Sequence, residues 1–269
     1  MHRHVVFTLF APLGAWGAPN LSAANAAIKH TEFTPTRSAL VGLIGAALGI
    51  SRSGIPDLSA EVRFAYRTDI HPRLQPKPDY QTITQGRVPR SGADTWTRHE
   101  EIRAAELAGV EGSILSKREF FDTGLWTVSV HLKGPRHTPE ALVDALASPV
   151  FIPSVGRRAF TLGLPADPAI IDGSGPVEAI GAYGLPWTRH PDLKNPWLAP
   201  LVQLWQSQGL GDRRPLCWDD GYPGAPAWDR SVERRDEPRI LAHDDGVIVR
   251  TFLVRTERQA SVAWPSQGA

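Results

Sequence analysis

Nucleophilic catalysis finds little support in this sequence. There is no Gly-x-Ser-x-Gly elbow, and Cys217 beside Trp218 reads as a small buried hydrophobe. The nine histidines include no His-x-x-x-His pair, and one cysteine rules out a thiolate zinc site. Asp219-Asp220 and Asp244-Asp245-Gly246 read as turn residues rather than cation ligands. No metal and no cofactor is expected. A metal-independent ribonuclease would need a general base or a cation beside a 2′-hydroxyl. His99, His131, Tyr80 and Lys117 are candidates by type alone, because spacing gives none of them a partner.

Cations next to exposed backbone amides make a stronger pattern. Arg37 and Ser38 stand at the expected start of a helix, whose free N–H groups and positive dipole end favour a phosphate. Gly156-Arg157-Arg158 sets two guanidinium forks beside a residue that permits close backbone approach. Lys117-Arg118 forms a second basic pair. Trp16, Tyr80 and Trp96 lie near these cations in the chain and are available by type to stack on unpaired bases.

The elements that must carry these residues follow from periodicity. Val5 to Phe10 reads as a buried strand, and Leu40, Leu43, Ile44, Ala47 and Leu48 mark one face of a helix over 39–50. Thr36 or Ser38 is the expected N-cap and Gly49 the C-terminal cap; Gly42 and Gly45 suggest close approach to a sheet. Val62 to Arg67 alternates as a strand, as does Leu125 to Leu132. Thr138-Pro139 then opens a second helix, through Leu142, Val143 and Leu146, which Pro149 stops. A fourth strand is expected after the 153–158 loop. The result is an α+β, ferredoxin-like (RRM-like) βαββαβ domain over 1–165, with an inserted thumb at about 68–124. Residues 166–269, rich in Pro, Gly and Trp with one clear strand at Val247 to Val254, read as a smaller β-rich domain.

The chain has 269 residues, enough for one large domain or two small ones without disulfide staples. Lys+Arg number 29 against 28 Asp+Glu, which excludes a basic coat over the whole surface but not a local basic face. The N-terminal apolar run superficially resembles a secretory leader. Pro12 and Gly14 interrupt it early, so it reads as a strand of a cytoplasmic protein, with no membrane span.

Seven motifs in order carry a family resemblance. They are Gly14-Ala15-Trp16-Gly17, Pro35-Thr36-Arg37-Ser38, the Gly42 to Ile50 helix, Phe64-Ala65-Tyr66-Arg67, Asp79-Tyr80-Gln81-Thr82, Ser116-Lys117-Arg118-Glu119-Phe120 and Gly156-Arg157-Arg158. Over roughly 5–165 the chain resembles the CasD family of type I-E CRISPR Cascade complexes. The resemblance implies a subunit that holds the 5′ handle of the crRNA and caps the backbone. Its partners would be the backbone subunit CasC and the large subunit CasA, and cleavage would be left to a separate subunit, CasE. It assigns RNA contacts to Trp16, Thr36, Arg37, Ser38 and Arg67. It assigns them also to Tyr80, Gln81 and Thr82, to Lys117 and Arg118, and to Gly156, Arg157 and Arg158. Gln81 replaces the family's usual His, which argues against histidine-based cleavage. Arg158 stands for the usual Lys, and Ala159-Phe160-Thr161 replaces the usual Cys-Pro-Pro.

Three functions remain to be separated. The first is a non-catalytic RNA-binding assembly subunit. The second is a metal-independent crRNA-processing endoribonuclease, as in type I-C relatives, with a base from His99 or Tyr80 and Lys117 stabilising charge. The third is a protein-only scaffold.

Overall fold

The structure is a computed structural model. It describes residues 1–18, 28–84, 113–191, 198–208, 213–242 and 248–264. Trp96, His99 and the Asp244-Asp245-Gly246 turn lie outside the described residues.

Chain order begins with β1 (His2–Gly14), then β2 (Trp16–Gly17), β3 (Ile28–Lys29) and β4 (Thr31–Glu32). Helix α1 (Arg37–Ala47) and helix α2 (Ile55–Glu61) lead into β5 (Val62–Ile70) and β6 (Arg73–Leu74). A hairpin of β7 (Asp79–Thr84) and β8 (Ser113–Arg118) precedes β9 (Phe121–Leu132), α3 (Pro139–Ala147) and β10 (Ala169–Gly173). Helices α4 (Pro176–Tyr183), α5 (Pro186–Arg189) and α6 (Leu198–Ser207) come next, and β11 (Arg213–Asp219), β12 (Arg230–Ala242) and β13 (Ile248–Ala263) finish the chain.

One mixed α/β body results, built on an antiparallel eight-stranded sheet in the order β10-β1-β9-β5-β11-β13-β12, with β6 beside β9. Period-two alternation explains why β1 is buried on both faces. Val5, Phe7, Leu9 and Ala11 meet the side that α1 and α3 cover, through Leu40, Leu43, Ile44, Leu142 and Leu146. Val6 meets the opposite side, against Ile180, Tyr183, Trp218 and Trp264, and Phe10 joins Leu125, Leu198 and Leu201 there. Burying a side chain of this size stabilises the fold by roughly 1.5–3 kcal/mol, so both layers hold the sheet.

Local signals explain the helix ends. At α3, Thr138 caps the first turn by accepting a hydrogen bond from the Ala141 N–H at 3.2 Å, with Pro139 next in line. At α1, Gly49 has φ of +73°. The N–H groups of Ile50 and Gly49 return to the carbonyls of Gly45 and Ala46 at 2.8 and 3.2 Å, closing a Schellman motif. Gly45 does serve close approach, but to α2 rather than to the sheet: a Cβ there would lie 2.6 Å from Ile55 Cδ1.

Several expectations need correction. The strand that follows α3 is Ala169–Gly173, beyond the expected boundary at 165, and it pairs with β1 from His2 opposite Gly173 to Val6 opposite Ala169. The C-terminal strands do not form a sheet of their own; β11 pairs with β5 and extends the same sheet. Residues 68–70 finish β5 and 121–124 begin β9, so both ends of the segment expected at about 68–124 belong to the main sheet. Strand β13 runs to Ala263, well past the expected Val254. Among the described residues no helix is long and apolar enough to cross a membrane.

Candidate nucleic-acid interface

A cleft of about 420 Å³ opens where six parts of the chain converge. Ala15, Gly17 and Ala18 come from the β1–β2 corner, Lys29 and His30 from the end of β3 and the residue after it, and Thr36, Ser38 and Ala39 from the start of α1. Arg118 ends β8 and Glu119 follows it, Gly156 and Arg157 sit on the loop after α3, and Arg235, Asp236 and Phe252 come from β12 and β13.

The strand pairings explain why two distant motifs meet. In the β7–β8 hairpin Asp79 lies opposite Arg118, Tyr80 opposite Lys117, Gln81 opposite Ser116 and Thr82 opposite Leu115. The Asp-Tyr-Gln-Thr and Ser-Lys-Arg segments are thus one ribbon. Strand β3 joins its far side in parallel, setting Lys29 beside Arg118. Arg157 ties the loop to the ribbon. Its guanidinium pairs with the Asp79 carboxylate, donates to the Glu119 carbonyl at 2.8 Å and lies over the Phe160 ring at 5.2 Å.

Four cations therefore face the cleft: Lys29, Arg118, Arg157 and Arg235. Its two carboxylates are committed elsewhere. Glu119 accepts from the Thr31 N–H at 3.2 Å and pairs with the His30 ring at 3.0 Å. Asp236 accepts from the Arg37 N–H at 2.7 Å and pairs with Arg255 at 2.6 Å. Burial, with the charges of Arg118 and Arg157 close by, lowers the pKa of Lys29 below its ordinary value. Like charges held together in this way bind an anion well, because a phosphate relieves their mutual repulsion.

Three residues expected to touch RNA belong to the interior instead. Trp16 is fully buried and packs on Trp126 and Phe121 with ring centroids 5.6 and 5.9 Å away, so no base can stack on it. Arg37 is 3% exposed. Its guanidinium pairs with Asp219 and Glu237 and donates to the carbonyls of Ser59 and Val62. The phosphate expected at the start of α1 meets an internal competitor as well, since the Asp236 carboxylate already takes the Arg37 N–H. Arg67 is 1% exposed, pairs with Asp69 at 2.5 Å and sits 4.7 Å over the Trp264 ring.

The remaining expected residues divide by position. Thr36 and Ser38 line the cleft, their hydroxyls 3.4 Å apart, although the Thr36 side chain makes no cap to its own helix. Gly156 also lines it, but its freedom serves the fold. Its φ is +79°, and a Cβ there would stand 1.7 Å from the Ala15 carbonyl oxygen. Tyr80, 59% exposed, and Lys117 share the ribbon face opposite to Asp79 and Arg118 and do not line the cleft. Gln81 and Arg158 are exposed outside it, and Thr82 is placed only by its strand pairing.

Of the residues considered for catalysis, Cys217 is buried, and burial pushes its thiol up to about 12. His131 lies across from His4 in the sheet rather than in the cleft. Sequence reasoning missed Lys29, His30 and Arg235. Lys29-His30 sits in a polar connection without periodicity, and Arg235 hides in the charge run Glu233-Arg234-Arg235-Asp236, which reads as a solvated face.

Comparison with known proteins gives consistent matches. The Cas5d family model, described as CRISPR-associated protein (Cas_Cas5), matches residues 4–237. The CRISPR system Cascade subunit CasD of Escherichia coli (strain K12) is 30% identical over 198 residues, which cover 68% of this chain and 78% of that protein. A chain in a solved structure described as a CRISPR RNA-guided surveillance complex shares the fold. It superposes with a TM-score of 0.56 at 20% identity, over 98% of this chain and 91% of its own length.

Proposed function

Because the chain belongs to the CRISPR-associated Cas5 family, with CasD as a relative, we propose that it is the crRNA-handle subunit of a type I-E Cascade complex. In this reading it binds the 5′ handle as single-stranded RNA and caps the backbone. It meets CasC and CasA, works in the cytoplasm and does not itself cut RNA. The order β10-β1-β9-β5, with α1 and α3 on one face, supports a ferredoxin-like unit, in which strand four lies beside strand one. The opposite face is covered by α4 and α6, through Ile180, Tyr183, Leu198 and Leu201, which favours an RNA seat in the loops over one on an open sheet.

The observation that carries the proposal is the convergence of Lys29, Arg118 and Arg157 on one cleft, close enough for their charges to depress Lys29. Phosphate contacts of this kind hold a strand whatever its sequence and weaken in salt. Tyr80 and Lys117, on the outer face of the ribbon, suit a base and a phosphate further along the strand.

The test is co-expression of the Lys29→Glu/Arg118→Glu variant with its neighbouring subunits. Loss of crRNA from the purified assembly, with the subunit itself still folded, is the expected result. An assembly that forms with a full complement of crRNA would leave only the scaffold function. Cleavage of repeat RNA by the wild-type protein alone would replace the proposal with the endoribonuclease.

A further inference from the structure

Strand β12 carries an irregularity at the mouth of the cleft. Arg234 lies opposite Arg255 and Glu237 opposite Leu253, so Arg235 and Asp236 together face the single residue Val254. That is a β-bulge, which turns a side chain away from the regular pleat. The bulge is pinned from inside. Asp236, 4% exposed, accepts the Arg37 N–H and both ends of the Arg255 fork. With Asp236 held inward, Arg235 is sent out into the cleft. Its Nε donates to the Phe252 carbonyl at 3.3 Å, and among the described residues it has no carboxylate partner.

A second groove, about 820 Å³, continues from this point along the hairpin. It shares Thr36, Arg235, Asp236 and Phe252 with the cleft, so the two adjoin at Arg235. Its wall includes Leu253 and Val254, which are 43% and 60% exposed. A cation beside an apolar wall suits a nucleotide, with the phosphate on the guanidinium and the base laid on the hydrocarbon.

We propose that the C-terminal hairpin completes the RNA seat: Arg235 binds a phosphodiester of the single-stranded RNA in the cleft, and the strand continues along the β12–β13 groove. This rests on the RNA-binding reading of the cleft. It gives the C-terminal third of the chain a direct role in holding the guide rather than only extending the sheet.

The experiment titrates the full-length protein against a fluorescein-labelled single-stranded oligoribonucleotide carrying the repeat-derived 5′ handle, at several salt concentrations. Arg235→Glu is expected to weaken binding about tenfold, the size of one charge-assisted contact. It should also flatten the slope of log affinity against log salt by about 0.7, the value of one lost single-strand phosphate contact. Arg235→Lys should retain the slope. Arg239→Glu, on the same strand but lining neither depression, should behave as wild type. If Arg157→Glu weakens binding while Arg235→Glu does not, the hairpin has no part in the seat and the inference is overturned. If neither variant weakens binding, the RNA reading of the cleft fails and takes this one with it. If Arg235→Glu keeps its RNA affinity but no longer assembles with its neighbouring subunits, the groove is a protein interface and the inference is again wrong.

Discussion

Arg37 was expected at a phosphate and is found in the interior, and the two placements predict opposite phenotypes for Arg37→Met. In the interior the substitution removes the donor shared by Asp219, Glu237 and the carbonyls of Ser59 and Val62. Asp219 keeps Arg255 at 3.1 Å and the Phe64 N–H at 2.8 Å, and Glu237 keeps the Ser59 hydroxyl, so neither carboxylate is wholly abandoned. The Val62 carbonyl keeps the Arg63 guanidinium at 2.7 Å, but the Ser59 carbonyl loses its guanidinium donor, and an orphaned acceptor costs about 1–3 kcal/mol. With the buried charge imbalance added, the loss is about 3–5 kcal/mol, the usual range for breaking a buried ion pair from one side. In a chain of this length that lowers the melting temperature by about 10 °C. The assay is thermal unfolding of the isolated protein without RNA, with Lys29→Ala as the comparison. Lys29 faces two other cations, so its removal should leave the melting temperature unchanged or slightly higher. An Arg37→Met protein that melts with the wild type but has lost RNA affinity would refute the interior placement.

Other consequences follow from single contacts. Gly156→Ala forces a Cβ onto the Ala15 carbonyl at positive φ, so the loop must move and carry Arg157 with it; a melting-temperature loss together with weakened RNA binding is expected, and a silent substitution would count against the loop packing. Burial, with His131 nearby, lowers the His4 pKa to about 4 against 6.5 unfolded. The unfolded chain therefore binds the proton first, and stability falls as pH drops from about 6.5 towards 4, by about 3 kcal/mol in all. Denaturant titrations across that range should show the slope, and His4→Gln should flatten it. For Lys29 the sign is reversed in pH. Phosphate restores its depressed pKa, so RNA affinity should fall as alkaline pH strips its proton, and Lys29→Arg should remove that decline in a binding titration.

Local chemistry was legible where a residue signals its own environment. Thr138-Pro139 announced the start of α3, Gly49 the end of α1, and the apolar run at Val5 with the alternating one at Leu125 the central strand pair. What failed depended on long-range pairing. Nothing near Ala169 tells that it will pair with β1, and nothing near Arg213 tells that β11 will extend the same sheet past β5. The cleft divides in the same way. Arg157-Arg158 and Lys117-Arg118 were visible as basic motifs, but one member of each pair lines the cleft while its neighbour points elsewhere, a choice made by the pleat and the loop turn. Arg37 and Arg67 misled because a guanidinium at a helix start or in a strand looks the same whether a phosphate or a buried carboxylate waits for it.

That ambiguity resolves once the carboxylates are traced, and it explains how a nearly neutral protein can present a basic cleft. Asp219, Asp236 and Glu257 are buried, and together with Glu237 they spend their charge on Arg37, Arg234 and Arg255. Burial alone would disfavour the charge on Arg255, but Asp219 and Asp236 outweigh it and raise its pKa. The acids are thus consumed inside, between α1 and the C-terminal strands, where they also hold the start of α1 and the bulge in β12. Lys29 and Arg235, which the same acids leave without a carboxylate partner among the described residues, stand at the cleft surface. The balance of charge over the whole chain therefore says little about the field at the cleft. The internal network both withdraws negative charge from that surface and fixes the backbone that aims the cations into it, so weakening the network should loosen RNA binding even where no RNA-facing residue has been changed.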